Sequence, residues 1–289
     1  MDRFTCDIAD YPDGIVLPID KPFRWTSADV VRKLKYAAIK HFGKKNLKVG
    51  HAGTLDPLAT GILLVCIGNA TKRAEELQSH DKEYIAGITF GATTASYDLE
   101  KEIDRFYPTD GVNPGSISKA LEGFLGEQNQ VAPLFSAKSV DGVRAYEMAR
   151  KLYKDALREG KPFDGGDAEG LLRTSRIRIN ELELLDFKEG TDIVTEVSPC
   201  AAGGTSVHTE GASSRIRLND NSALGLPRAR IRIVCSKGTY IRAFARDLGE
   251  ALGTGAHLDS LIRSRSGDYR IEDALSLETA LDLLKDPLK

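Results

Sequence analysis

The run from Gly50 to Gly61, GHAGTLDPLATG, most constrains how this chain folds. Its glycines permit backbone conformations that are closed to other residues, and they leave room for a ligand beside the main chain. Pro57 stiffens the chain directly after Asp56, the one carboxylate of the run. Two interpretations follow: a stiff loop that presents a carboxylate to a reacting carbon, or a tight connection in which Asp56 caps a turn. The residues alone favour neither.

The segments on either side of this run predict a mixture of strands and helices. Apolar residues recur at helical spacing from 28 to about 42, with Ser27 as the expected N-cap and Gly43 as the end of the helix. The continuous apolar run 62–67 is typical of a buried strand. Further strands are predicted at 15–19, 82–90, 176–187 and 228–234, and further helices at 70–78, 118–124, 144–157, 239–252 and 277–284. Because strands and helices do not alternate regularly, we expect an α+β fold.

The domain organisation expected is one large domain with a tail. The 289 residues suffice for a substantial core. A stretch rich in Gly, Ala, Ser and Thr around 199–214 predicts a flexible surface insertion, at about 190–227, within a domain of 1–275; residues 276–289 would form a short C-terminal helix and tail. The chain has no apolar run of bilayer length and its N-terminus does not resemble a secretory signal, so we expect a cytoplasmic protein without membrane contact.

Charge is distributed unevenly along the chain, although the net charge is only −2. One basic cluster leads directly into the Asp56 run, and a second lies near the C-terminus. Each cluster alone is compatible with a solvated face, but the two together favour contacts with phosphates. The first comprises Arg32, Lys33, Lys35, Lys40, Lys44, Lys45 and Lys48, and the second comprises Arg242, Arg246, Arg263, Arg265 and Arg270.

Neither a cofactor nor a metal ion is expected. The histidines and cysteines lack the spacing of known metal sites, and the chain has no strand-first GxGxxG motif, Walker loop or GxSxG motif. Arg242 can pair with a carboxylate or lie on a solvated helix face, and Tyr84 and Tyr240 can contact a base or pack in the core. An isolated aspartate with basic clusters favours cofactor-free chemistry on a polyanion.

Several separate motifs together resemble the TruB family of pseudouridine synthases. The resemblance extends from about Gly14 to Tyr269, which is nearly the whole chain. It is carried by the run 50–72, by Lys82-Glu83-Tyr84, by the segment 133–150, by Ser236-Lys237-Gly238-Thr239-Tyr240-Ile241-Arg242 and by the segment 255–261. It implies the pseudouridine synthase catalytic fold, with a mixed, mostly antiparallel central sheet flanked by helices and loops.

The resemblance also implies an activity and a role for each site residue. The activity is conversion of a uridine in RNA to pseudouridine, typically the T-loop uridine of tRNA, by a chain acting as a monomer without a protein partner. Because this is an isomerisation, no redox cofactor or metal is needed. By this resemblance Asp56 is the catalytic residue, Arg242 forms an ion pair with it, and Tyr84 stacks on the target base. Tyr240 and Leu261 line the pocket, and His51 takes the place of the flipped nucleotide. Lys21 belongs to the first motif of the family and contacts the substrate.

The catalytic carboxylate has two possible roles. Asp56 acts as a nucleophile at C1′ of the ribose or as a base at C2′, and the sequence is compatible with both. Arg32, Lys33 and Lys35 are the expected contacts to the RNA backbone.

The chain departs from the family pattern at three positions. Arg24 stands where a glycine is usual, Ala95 where an aspartate is common, although Asp98 remains, and Ser139 where a lysine is usual, with Lys138 one position earlier. Only about twenty residues follow Tyr269, too few for the C-terminal RNA-binding (PUA) domain of many members, so the catalytic domain is expected to bind RNA by itself.

Two alternative functions remain. One is guide-dependent RNA pseudouridylation, although those relatives differ after the Asp-Pro pair, where this chain has Leu58-Ala59-Thr60. The other is a non-catalytic RNA-binding or RNA-folding module, which the joint presence of Asp56, Tyr84 and Arg242 disfavours.

Overall fold

A computed structural model describes residues 3–136, 139–140, 143–159, 174–190 and 216–285. The chain divides into two compact units. Unit 1 comprises Met1–Tyr84, Thr209–Ile216 and Ile262–Lys289, and unit 2 comprises Ile85–His208 and Arg217–Leu261. The Gly- and Ser-rich stretch at 199–214 lies outside the described residues, and the division into a domain of 1–275 and a tail stays a prediction. None of the described helices is long and apolar enough to cross a membrane.

The five strands and six helices that the sequence predicts all have observed counterparts, but eight of the described strands, among them the long strand Ala256–Ser266, were not predicted. The strands are β1 (Ile15–Lys21), β2 (Val49–His51), β3 (Thr60–Ile67), β4 (Lys82–Phe90), β5 (Ala92–Thr94), β6 (Ile103–Phe106), β7 (Gly126–Val131), β8 (Ser139–Val140), β9 (Val143–Arg144), β10 (Thr174–Lys188), β11 (Arg228–Cys235), β12 (Ala256–Ser266) and β13 (Tyr269–Arg270). The α-helices are α1 (Ser27–Phe42), α2 (Ala74–Ser79), α3 (Pro114–Glu122), α4 (Ala145–Glu159), α5 (Ile241–Ala251) and α6 (Leu277–Leu283).

Unit 1 is built around β3. Strands β1 and β2 pair with it antiparallel, whereas β12 pairs with it in parallel, with Ile262 opposite Thr60 and Arg263 opposite Gly61. Helix α1 packs against this sheet because its apolar residues share one face. The core formed there includes Leu17, Ile19, Val30, Leu34, Ala38, Phe42, Leu63, Val65 and Ala280.

Unit 2 has the strand order β12-β4-β11-β10-β7. Strand β10 pairs antiparallel with both β11 and β7, and the small pairs β5-β6 and β8-β9 are antiparallel as well. The parallel pair in unit 1 makes the arrangement mixed. The predicted α+β fold with a mixed, mostly antiparallel sheet is confirmed.

The N-terminus of α1 corrects one sequence prediction. Thr26, not Ser27, is the N-cap, and it forms a capping box in which its side chain accepts from the backbone N–H of Asp29 while the Asp29 carboxylate accepts from the backbone N–H of Thr26. The helix ends at Gly43, which has a left-handed φ of 59°, as predicted. Ser27 is therefore available for another bond.

Candidate active site

Asp56 lies in unit 1, in the loop that joins β2 to β3. Its backbone carbonyl accepts a hydrogen bond from the N–H of Ala59 at 3.1 Å, so the residue also begins a turn. Its side chain is partly exposed. Asp56 thus begins a turn and also has a partly exposed carboxylate, so the turn and the carboxylate-presenting loop of the sequence analysis are compatible interpretations.

A buried lysine holds the peptide next to this carboxylate. Lys21, the last residue of β1, has no exposed surface. Its ammonium group donates to the backbone carbonyls of Pro22 at 2.9 Å, Trp25 at 2.7 Å and Pro57 at 3.2 Å. Because Pro57 directly follows Asp56, these bonds fix the backbone that carries the carboxylate.

A buried arginine holds the other side of the loop. Arg263 of β12 is only 2% exposed. Its Nη2 donates to the carbonyl of Gly53 at 3.2 Å, its Nη1 to Thr54 at 3.3 Å and its Nε to Ile62 at 2.7 Å. One planar guanidinium thus joins the loop to the strand that follows it.

Two further contacts complete the support of the loop. The hydroxyl of Ser27 donates to the carbonyl of Leu55 at 3.1 Å and accepts from its N–H at 2.9 Å, which ties the first turn of α1 to the residue before Asp56. Gly61 has a φ of 97°, and a Cβ there would lie 2.4 Å from the carbonyl oxygen of Arg263. Only glycine therefore fits between β3 and β12.

Two basic residues near Asp56, Lys21 and His51, have lowered pKa values. The pKa of Lys21 is lowered to about 7, chiefly by burial and in part by the charge of Arg263, while the charge of Asp56 opposes the shift. Burial, with a smaller contribution from Arg263, also lowers the pKa of His51, so its imidazole is neutral at pH 7.

The Lys21 shift predicts a pH-dependent stability. Between about pH 7 and pH 10.5 the unfolded chain keeps a proton on Lys21 that the folded chain has released. The free energy of unfolding of the wild type, relative to Lys21→Met, should therefore rise with pH in this window and stay level below it. Urea unfolding of both proteins below pH 7 and at two values inside the window measures this. Parallel profiles would contradict the prediction, and the exposed Lys45→Met controls for loss of a lysine as such.

Unit 2 holds Arg242 in a buried polar cluster. The side chain of Arg242, in α5, donates to the carbonyls of Ser96 at 3.2 Å and Phe135 at 3.0 Å, and its Nε lies 3.8 Å from Oδ2 of Asp98. Asp98 in turn accepts from the hydroxyl of Ser96 at 2.6 Å and from the N–H of Glu100 at 2.9 Å. The guanidinium is thus held by carbonyls and a carboxylate in a site shielded from water. Its predicted pairing with Asp56 stays a prediction.

Tyr240 is fixed through its backbone. It precedes α5, and the buried side chain of Gln130 accepts from its N–H at 2.8 Å and donates to its carbonyl at 3.1 Å. Tyr84 of β4 and Leu261 of β12 are each 8% exposed.

The structure brings Lys21 beside Asp56 in unit 1, with His51 at the start of the same loop, and places Tyr240 and Arg242 together in unit 2.

Three of the five arginines in the second basic cluster of the sequence are not on the surface. Arg242, Arg246 and Arg263 are all buried. Arg246 bonds to Asp247 at 2.8 Å and to the carbonyl of Val131 at 3.0 Å. Interpretation of these three residues as phosphate contacts was wrong, because their guanidinium groups satisfy buried carbonyl and carboxylate oxygens. By contrast Arg32, Lys33 and Lys35 are exposed on α1.

Comparisons with known proteins identify the family. Residues 39–204 match the N-terminal domain of the TruB family pseudouridylate synthases, and residues 242–286 match the C-terminal domain of tRNA pseudouridylate synthase B. The chain belongs to the TruB family. Among its TruB relatives, the tRNA pseudouridine synthase B of Phocaeicola vulgatus is 46% identical over 270 residues, 93% of each chain. That of Thermus thermophilus is 40% identical over 260 residues, 90% of this chain and 75% of the relative.

Solved structures share the fold. A chain in a Cbf5-Nop10-Gar1 complex has a TM-score of 0.57 at 23% sequence identity, with 96% of this chain and 56% of that chain covered. An H/ACA RNP bound to a substrate RNA containing 2′-deoxyuridine gives 0.55 at 22% identity, with 97% and 57% covered. This TruB chain thus spans a little over half the length of those chains, and identities this low establish the fold alone.

The structure explains two departures from the TruB pattern. Arg24 has a φ of 63°, the left-handed region that favours the usual glycine. It is compensated by bonds from its backbone N–H to the carbonyl of Pro57 at 2.9 Å and from its Nη2 to the carbonyl of Ile216 at 2.6 Å. Beside Ala95, Asp98 supplies the carboxylate that Arg242 contacts. Ser139 lies in β8, and Lys138 lies outside the described residues.

Proposed function

We propose that this chain converts a uridine of tRNA, the T-loop uridine, to pseudouridine. One structural observation carries the proposal: the loop of Asp56 is fixed on both sides by buried basic side chains, those of Lys21 and Arg263, that donate to its carbonyl groups. A carboxylate held in this way meets a reacting carbon without reorganising the loop. The relatives named tRNA pseudouridine synthase B, similar over 93% of the chain, support tRNA as the substrate.

The reaction rearranges one nucleotide. The N1–C1′ bond of the uridine breaks, the uracil turns, and C5 bonds to C1′; a proton leaves C5 and one is gained at N1. Asp56 in its ionised form serves as the nucleophile at C1′ or as the base at C2′. Lys21, which the resemblance implies to be a substrate contact, is a positioning group in this proposal, because it has no exposed surface and donates to three backbone carbonyls, one of them that of Pro57 next to Asp56.

The remaining site residues bind the flipped nucleotide in this proposal. Unstacking the uridine costs roughly a few kcal/mol, and stacking on the ring of Tyr84 returns about 1–3 kcal/mol. Tyr240 and Leu261 line the uracil pocket, and Arg242 orients Asp56. The neutral ring of His51 occupies the place that the flipped nucleotide leaves, where an uncharged aromatic can stack on bases.

We also propose that the chain acts as a monomer in the cytoplasm, without a guide RNA or a protein partner. The run Leu58-Ala59-Thr60 after the Asp-Pro pair supports modification without a guide RNA over guide-dependent modification. The structures of the Cbf5 and H/ACA assemblies establish only the fold. Product formation in the absence of a guide RNA would distinguish stand-alone tRNA modification from guide-dependent modification.

The test uses purified protein and an unmodified tRNA transcript. We expect pseudouridine at the T-loop uridine, detected by mass spectrometry of nuclease fragments, with no guide RNA or added protein. A transcript with cytidine at that position is the control. Tight tRNA binding without any product would support the non-catalytic alternative and overturn the proposal.

The exposed residues Arg32, Lys33 and Lys35 contact phosphates in this proposal. Changing all three to glutamine should weaken tRNA binding and reduce the slope of log K against log salt by about 2–3, because each phosphate contact contributes roughly 0.7–0.9. Fluorescence anisotropy over a salt series measures it. Arg105, Lys119 and Arg176, also exposed and in unit 2, give a control variant with the same change in net charge. An equal effect of both variants would contradict a specific contact.

A further inference from the structure

The exposed face of α1 is the strongest candidate for a contact beyond the Asp56 loop. The helix buries Val30, Leu34 and Ala38 on one side. Its other side is basic, and no acidic residue lies anywhere between Asp29 and Asp56. In a chain with a net charge of −2, this concentration of positive charge is local. We call it the α1 face; it comprises Arg32, Lys33, Lys35, Tyr36 and Lys40, all exposed.

An aromatic ring stands in the middle of this charge. Tyr36 is 77% exposed, the highest fraction among the large apolar and aromatic side chains that the structure describes as exposed. Arg32 lies one turn before Tyr36 and Lys40 one turn after it, so both are its neighbours on the same face. A core role is ruled out by this exposure, and the flanking charges disfavour an apolar partner.

The nearest charged groups leave the α1 face net positive. Arg32 pairs with Asp29 at 3.1 Å, but Asp29 is only 25% exposed and already takes part in the capping box. The ammonium of Lys33 lies 5.2 Å from the ring centre of Trp25, which holds it over that side chain. Lys40 has no ion pair among the contacts described for it. A flat ring between two cations is complementary to a base between two phosphates.

The position of the α1 face connects it to the catalytic loop. Both belong to unit 1, and the hydroxyl of Ser27 binds Leu55, the residue before Asp56. Tyr36 is nine residues further along α1, or about 14 Å at 1.5 Å per residue. An RNA with one nucleotide at Asp56 therefore has neighbouring nucleotides within reach of this ring.

We propose that Tyr36 stacks on an unpaired base of the tRNA substrate while Arg32 and Lys40 contact the phosphates beside it. This inference rests on the proposed function, because it takes tRNA as the ligand of the Asp56 loop. It adds a base contact outside the pocket of the modified uridine. Stacking is tolerant of base identity, so the contact contributes affinity rather than sequence selectivity.

The experiment measures tRNA binding in an Asp56→Asn background, so that the substrate is not consumed. Tyr36→Leu should weaken binding about 5- to 150-fold without changing the salt slope, because it removes stacking and no charge. Tyr36→Trp should bind at least as tightly as the parent. Arg32→Gln with Lys40→Gln should instead reduce the slope, by about 1–2. Phe106→Leu, another exposed aromatic residue, in unit 2, is the matched control.

The outcomes separate the two proposals. Parent-like binding by Tyr36→Leu, or an equal loss in Phe106→Leu, would overturn the stacking contact and leave the proposed function intact. Binding by Tyr36→Trp as weak as that by Tyr36→Leu would also overturn the stacking contact, since a larger ring stacks at least as well. Absence of tRNA binding by the parent protein would overturn both. Because Tyr36 is exposed, these variants should fold normally, which circular dichroism checks.

Discussion

Replacing Asp56 with asparagine should abolish pseudouridine formation while tRNA binding survives. Asparagine keeps the size of the side chain but is neither a nucleophile for C1′ nor a base for C2′. We expect turnover to fall by at least about 10³-fold, the range typical for loss of a nucleophile or a general base. Single-turnover conversion of an unmodified tRNA, with the Kd measured separately, distinguishes chemistry from binding.

A neighbouring carboxylate supplies the control for this variant. Asp20, an exposed residue, also raises the pKa of Lys21 through its charge, and its Oδ1 accepts from the N–H of Gly61 at 3.0 Å. Asp20→Asn keeps an acceptor oxygen there and should retain turnover within about tenfold. Equal losses in the two variants would mean that charge near Lys21, and not the Asp56 carboxylate itself, is what the reaction needs, and would contradict the assignment.

Replacing Arg263 with methionine should impair both stability and turnover. Methionine fills much of the volume but leaves the carbonyl oxygens of Gly53, Thr54 and Ile62 without their buried donor. Each buried acceptor left unsatisfied, as at Gly53 and Ile62, costs about 1–3 kcal/mol, offset in part by no longer burying a cation, so we expect about 2–5 kcal/mol lower stability. Because the loop then positions Asp56 less well, kcat should fall about 10²-fold.

The control for Arg263 lies two residues away on the same strand. Arg265 is half-buried and donates to one carbonyl, that of Gly267, at 3.3 Å. Arg265→Met should therefore lose little stability and little kcat. Denaturant unfolding and a kcat-against-KM comparison measure both effects. If Arg263→Met behaves like Arg265→Met, the guanidinium does not hold the loop. Arg263→Lys should be intermediate, since it keeps the charge but not the planar fork.

Local patterns predicted counterparts of all six described α-helices and of five of the thirteen described strands, but not the long strand β12. Strand β4 was predicted at 82–90 and is observed as Lys82–Phe90, and helix α1 was predicted to end at Gly43 and does so. Strand and helix periodicity depends on neighbouring residues, so the sequence carries it directly. The predicted N-cap was wrong by one residue, because Thr26 and Ser27 are adjacent and chemically similar, and only the structure shows that Ser27 binds Leu55 instead.

The sequence by itself determined the family and the fold class and predicted Asp56 as the catalytic residue, because motif residues are read from side-chain identity and order. It did not determine what holds the Asp56 loop. Lys21 and Arg263 act on backbone carbonyls up to 210 positions away, and a carbonyl belongs to every residue type, so no side-chain pattern marks the partner. Whether an arginine is exposed or buried is likewise decided by packing: Arg32 lies on the exposed face of its helix, whereas Arg263 lies among carbonyls that only the folded chain brings together.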